Sequence, residues 1–399
     1  MTWLDDLARA AAERERLGLR RRLQARTEDD GLIDLAGNDY LGLSRNPEVI
    51  AAASAALKAY GAGATASRLV RGSTEVHLRL ELALADLLGT EAALVYSSGY
   101  LANLGAVRAF SGPGVRIASD AHNHASLVDG CRIAGAGRDG AQIVVYRHAD
   151  ASALDAALSS ALADRAGAAD RSPPAVVVTE SVFSVYGDLA PLADLHAVAR
   201  RHGAVLCVDD AHGLGVTGPD GAGGVSAAGL SGAEDVVVTA TLSKALGAAG
   251  GVVAGPAMFI RHLVETSRSF IYDTGLPPAV AAGALAALAL SRGEAGAAAR
   301  LELAERVRLV THTLGAAGLR VSDPAGGVLS VAAPGPEQAV AWAAACRQQG
   351  VAVGCFRPPS SPDGDSRLRL TINVAVPRDD FEQALATVVS TAPERDFDG

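Results

Sequence analysis

Of the 35 basic residues, only Lys58 and Lys244 are lysines, so chemistry that needs a lysine amine has two candidates. Lys244 stands in Thr239-Ala-Thr-Leu-Ser-Lys-Ala-Leu-Gly247, where an apolar strand runs out into a glycine-punctuated loop. An amine placed there can attack a carbonyl and form a Schiff base if partial burial beside cationic or dipolar groups keeps it unprotonated. The plain alternative is a solvated surface lysine, and Lys58, in the helical stretch Ala51 to Tyr60, has that character.

Four further segments carry reactive or binding groups. Val205 to Gly213 is an apolar strand that ends in Asp209, Asp210 and His212. Charges at the end of a buried strand need partners. A protonated pyridine nitrogen is one such partner for Asp209; a helix N-cap with an exposed histidine is the other reading. Ser97-Ser98-Gly99-Tyr100 follows a strand and opens a helix, which suits a phosphate held by backbone N–H groups and equally suits an ordinary cap. In Ser119 to Leu127, His122 and His124 stand two apart, but nothing at an obvious spacing completes a metal site. Stacking of one imidazole on a flat ring fits this segment better, against a polar loop histidine. Thr179 to Asp188 brings Glu180 and Ser184 to another strand end, where the serine can bond a cofactor oxygen or a substrate carboxylate, or cap the loop. The other histidines, His148 among them, read as structural or solvated.

The elements that must position these groups show as short β-branched runs separated by helical stretches. They are Ala93 to Tyr96, Gln142 to Tyr146, Ala175 to Thr179, Ala204 to Val208, Asp235 to Ala240 and Gly251 to Ala254. This alternation predicts an α/β domain with a mostly parallel sheet, and apolar runs without alternation predict helices on both faces. Open sheets of this kind bind ligands at the C-terminal ends of their strands, where the reactive residues fall. A helical arm is expected from Thr2 to about Arg26, ending in Arg20, Arg21 and Arg22. Beyond Pro277-Pro278 come two long helices and shorter strands at Gly327 to Ala332, Val351 to Gly354 and Leu368 to Ile372, a smaller α+β domain. The divisions expected are thus 1–37, 38–276 and 277–399. Loops rich in Gly, Ser, Asp and Pro are expected at Arg165 to Pro174 and Arg357 to Ser366.

Composition narrows the class. With 399 residues, 49% hydrophobic and 20% charged, the chain can bury a sizeable core. A net charge of −9 argues against a general nucleic-acid or membrane-surface binder. Four cysteines without a C-x-x-C pair suit buried thiols in a reducing compartment, and neither a secretory signal nor a bilayer-length apolar run is evident. The expected location is the cytoplasm.

Asn38 to Leu43, Ser67-Arg68, Gly72 to His77 with Glu81, Ser98 to Tyr100, His124 to Ser126, Glu180 to Asp188, Asp209 to His212, Thr241 to Lys244, Tyr272 to Pro278 and Leu368 to Thr371 closely resemble the α-oxoamine synthases. These are fold type I enzymes that use pyridoxal phosphate (PLP). The resemblance implies that Lys244 holds PLP covalently and later moves the substrate proton, that Asp209 pairs with the pyridinium, and that His124 stacks on the ring. By the same resemblance His212 and Ser184 contact the phenolic oxygen. Ser98, Gly99, Tyr100 and Thr241 match the phosphate cradle, joined by Thr274 of a neighbouring subunit. Asn38 and Arg369 match groups that bind the amino-acid carboxylate, and a homodimer with interfacial active sites is implied. Among the family's activities, the arm ending in Leu19-Arg20-Arg21-Arg22 and the segment Phe356-Arg357-Pro-Pro-Ser360 match the member that condenses L-alanine with a pimeloyl thioester, of CoA or a carrier protein. There Arg20 would meet the free carboxylate of the acyl chain, with Arg357 and Ser360 in the substrate loop. A member condensing glycine with acetyl-CoA is the alternative. Ser360 replaces a usual threonine, and Thr371-Ile-Asn-Val lacks a histidine often found there. A nucleotide-binding Rossmann protein is disfavoured because no G-x-G-x-x-G follows an early strand.

Overall fold

The computed structural model describes residues 2–21, 23–137, 140–163, 174–358, 360–361 and 363–393. Arg22, and the loop expected from Arg165 as far as residue 173, lie outside them. The strands are β1 (Ile33–Leu35), β2 (Ala92–Tyr96), β3 (Arg116–Asp120), β4 (Gln142–Tyr146), β5 (Ala175–Glu180), β6 (Ala204–Asp209), β7 (Val236–Thr241), β8 (Gly251–Gly255), β9 (Val328–Ala332), β10 (Val351–Phe356) and β11 (Arg367–Thr371). Two compact units emerge. One comprises Asn38–Ser184 and Asp188–Leu303, the other Met1–Gly37, Val185–Gly187 and Ala304–Gly399.

The first unit is built on a seven-stranded sheet of order β2-β8-β7-β6-β5-β3-β4. Only β8 is antiparallel to its neighbours, so the other six strands point their C-terminal ends to one edge. Val176, Val178, Cys207, Val237 and Val253 pack with Val107, Leu127 and Leu263 from the covering helices. Each such aliphatic side chain, fully buried, contributes about 1.5–3 kcal/mol. Burial on both faces explains why these strands read as continuous apolar runs. Strand β3 was not among the expected ones: Arg-Ile-Ala-Ser-Asp has a single β-branched residue, and its pairing with both β4 and β5 makes it a strand. The helix Pro278–Arg292 lays small residues against Pro47–Tyr60 and Glu75–Leu88, so it belongs to this unit and the division comes at Leu303, not at the Pro277-Pro278 step.

In the second unit β1, β10, β11 and β9 form a four-stranded mixed sheet. Helices Pro336–Gln348 and Arg378–Ser390 meet where Trp342 Nε1 donates to the Val388 carbonyl at 3.0 Å. The N-terminal helix ends at Arg16, ten residues before the expected Arg26, and buries no side chain. Among the described residues no helix is long and apolar enough to cross a membrane.

Candidate active site

Five strand ends of the large unit deliver side chains to one cavity of about 240 Å³. After β7 the chain turns sharply. Thr241 Oγ1 donates to the Gly250 carbonyl, and Gly247, at φ 59°, returns its N–H to the Lys244 carbonyl at 2.8 Å. This turn presents Lys244, whose Nζ lies 2.8 Å from His212 Nε2. His212 Nδ1 lies 2.5 Å from Tyr40 Oη, which in turn donates to Asn38 Oδ1 at 3.4 Å. Lys58, by contrast, is exposed on the helix Pro47–Tyr60.

The two carboxylates that end β6 part company. Asp209, only 5% exposed, lines the cavity. Asp210 turns away and accepts from Ser181 Oγ and the amides of Gly224 and Val225. Burial raises the Asp210 carboxyl, against those hydrogen bonds, and its role is to hold the loop after β6. At the end of β5, Glu180 accepts the His124 amide at 2.6 Å on one oxygen and the Ser184 amide at 3.2 Å on the other. Burial and the neighbouring Asp209 push the Glu180 carboxyl well above its ordinary range, with Lys244 and the two amides pulling the other way. It is a strut between two segments flanking the cavity.

His124 is the N-cap of Ala125–Ala134, with Nδ1 2.7 Å from Ser126 Oγ. Ser98 caps Gly99–Ala109, its Oγ accepting the Leu101 amide. At Gly99 the helix start meets Thr241 so closely that a Cβ would lie 2.9 Å from the threonine Cβ, so only glycine allows this approach. Ser98, Gly99, Tyr100, His124, Asp209, His212, Thr241 and Lys244 therefore share one cavity. The arrangement fits the PLP that the resemblance implies: an amine for the aldehyde, a buried carboxylate for the ring nitrogen, an imidazole for the ring face, and a helix N-terminus with a threonine for the phosphate. No group of three or more His, Cys, Asp or Glu able to hold a metal exists among the described residues.

Other expected residues lie elsewhere. Ser184 and Thr274 are not in the cavity lining; Thr274 forms a bridge with Ser67. In the small unit, Arg369 is buried on β11 with its guanidinium over the Phe356 ring at 5.4 Å. A second cavity, of about 270 Å³, lies wholly within that unit and is lined by Arg14, Leu19, Arg21, Cys355, Arg357, Pro358 and Ser360. Arg21 donates to Ser360 Oγ at 3.0 Å, whereas Arg20 pairs with Glu15 at 2.6 Å on the exposed side of the arm. Sequence reasoning left out Asn103, Ser126 and Ser243, which line the main cavity, and Tyr40, which holds His212. Tyr40, Ser126 and Ser243 lay inside matched motifs, so a signal existed; Asn103 sits mid-helix.

A family model for aminotransferases of class I and II matches residues 30–388. The chain belongs to this family. It is 50% identical over 395 residues to 8-amino-7-oxononanoate synthase of Mycolicibacterium smegmatis, covering 98% of this chain and 97% of that one. The counterpart from Mycolicibacterium gilvum is 49% identical over 391 residues, 98% and 96% of the two chains. Among solved structures, serine palmitoyltransferase from S. paucimobilis, with PLP and myriocin bound, superposes with a TM-score of 0.87 at 31% identity and covers 98% of both chains. The expected α/β fold of type I PLP enzymes is the one observed.

Proposed function

We propose that the chain condenses L-alanine with a pimeloyl thioester, of CoA or a carrier protein, to give 8-amino-7-oxononanoate, CO2 and free thiol, a step in biotin synthesis. The convergence of Lys244, Asp209 and His124 on one cavity carries this reading, and the near full-length relatives of that name support it. PLP, when bound, supplies an electron sink that stabilises a carbanion next to the amino group. Lys244 provides the amine that holds the cofactor and then takes and returns the proton at the substrate α-carbon. Asp209 keeps positive charge on the ring nitrogen, where each pKa unit gained is worth about 1.4 kcal/mol. His124 covers the ring face and offers a hydrogen bond to the thioester carbonyl or the departing carboxylate. The alanine α-carbon bonds to the acyl carbon, the thiol leaves, and the carboxylate departs as CO2.

For the acyl end, we assign the terminal carboxylate to the arginine-lined cavity of the small unit. Arg14, Arg21 and Arg357 line it, and we propose Arg21 for this contact in place of the Arg20 first expected. Asn38 and Arg369 remain the assigned partners of the amino-acid carboxylate, Ser184 of the phenolic oxygen, and Thr274 of a partner's phosphate. The working form is a cytoplasmic homodimer. Release of free thiol from purified protein separates the possibilities. Alanine with pimeloyl-CoA should release it, and release only with glycine and acetyl-CoA would reject the assignment.

A further inference from the structure

Along the wall of the main cavity runs a chain of hydrogen bonds whose direction can be worked out donor by donor. Thr239, Asn103 and Ser126 are buried, Thr239 and Ser126 completely. Both Asp209 oxygens accept, Oδ1 from the Ala211 amide at 2.9 Å and Oδ2 from the Asn103 amide nitrogen at 2.7 Å. That fixes the amide: its Oδ1 accepts from Thr239 Oγ1, and its second N–H donates to Ser126 Oγ at 2.8 Å. The same Ser126 oxygen lies 2.7 Å from His124 Nδ1. The Ser126 backbone N–H also points at this nitrogen, at 3.3 Å. A backbone N–H can only donate, so Nδ1 is an acceptor without a proton of its own, and the Ser126 hydroxyl is left to donate to it as well.

We infer that Asn103 and Ser126 are positioning residues that lock His124 as the Nε2–H tautomer, so that its Nε2 is a hydrogen-bond donor during the condensation. The function of that donor rests on the placement of His124 over the cofactor proposed above; the tautomer does not. Its polarity begins at Asp209, the residue assigned to the ring nitrogen, so one carboxylate orders both the ring and the imidazole that covers it. A donor at Nε2 can stabilise charge growing on the thioester oxygen, which a bare nitrogen lone pair would repel. The second-layer bond on the far nitrogen is the usual means by which a histidine tautomer is set.

Nitrogen-15 NMR of histidine-labelled holoenzyme tests this directly, with the His124 signals identified by difference against His124→Gln. Wild-type protein should show the proton on Nε2. Ser126→Ala and Asn103→Leu should each admit the Nδ1–H form and lower kcat roughly tenfold to a hundredfold with little change in KM, while the borohydride-sensitive absorbance at Lys244 persists. Ser126→Thr, which keeps the hydroxyl, should retain the wild-type tautomer. A proton found on Nδ1 in the wild type, or a pure Nε2–H form in both Ser126→Ala and Asn103→Leu, overturns the inference. If the tautomer responds as stated but no chromophore forms, it is the PLP reading that fails.

Discussion

Lys244 is worth most at the scale of single residues, because its chemistry has no substitute nearby: the only other lysine lies exposed on the helix Pro47–Tyr60. Lys244→Ala should abolish the covalent PLP adduct, seen as loss of the yellow absorbance that borohydride removes, while Lys58→Arg should leave it intact. Retention of a reducible adduct in Lys244→Ala would remove the basis for the site. The partners of Lys244 were unevenly legible. Asp209 and His212 follow an apolar strand, where a charged or imidazole group is conspicuous, and His124 shows as one of two histidines two apart. Asn103 lies in the body of a helix and Ser126 at the second position of another, so only tertiary packing reveals what they bond.

Among the elements, the segment after β4 shows what periodicity cannot convey. His148, with nothing in its sequence surroundings to mark it, is gripped on both nitrogens, by Asp120 at 2.9 Å and Asp188 at 2.8 Å. Its ring stacks on His122 with centroids 3.8 Å apart and meets Phe183 edge-on. Ala149 is held at φ 50°, a left-handed conformation costing an L-residue about 1–2 kcal/mol, and donates its N–H to the same Asp120. Burial disfavours the charged ring, but the two aspartates outweigh it and lift His148 to about 9. A folded pKa above the unfolded value near 6.5 stabilises fully below that value and is lost as pH rises through about 9. The Tm should therefore fall between pH 7 and 10, and His148→Gln should lower Tm at pH 7 and flatten that slope. An equal slope in both proteins would count against the clasp. Since Asp120 also accepts the His122 amide, the clasp steadies the turn that leads to His124. The β-branched runs gave most strands correctly, while β3, poor in such residues, is made by its two neighbours.

For the molecule as a whole, the proposed chemistry divides between the two units. The large unit carries Lys244, Asp209 and the helix start at Ser98 to Tyr100, and the small unit holds a cavity lined by arginines. This predicts a clean separation in kinetics. Arg21→Ala should raise KM for the pimeloyl thioester about 10- to 100-fold, the loss of one charge-assisted hydrogen bond of about 1.5–3 kcal/mol, without altering the PLP spectrum. Arg20→Ala, which removes only an exposed pair with Glu15, should have little effect. The reverse ranking would return the acyl carboxylate to Arg20. The run from β6 through the loop of β7 to β8 has one more property: between Arg201 and Arg261 its only lysine or arginine is Lys244. Trypsin therefore cuts this run once, at the reactive amine. After borohydride reduction the cut should vanish, leaving a single peptide from His202 to Arg261, and the fraction of cofactor-loaded protein could be weighed as a missed cleavage.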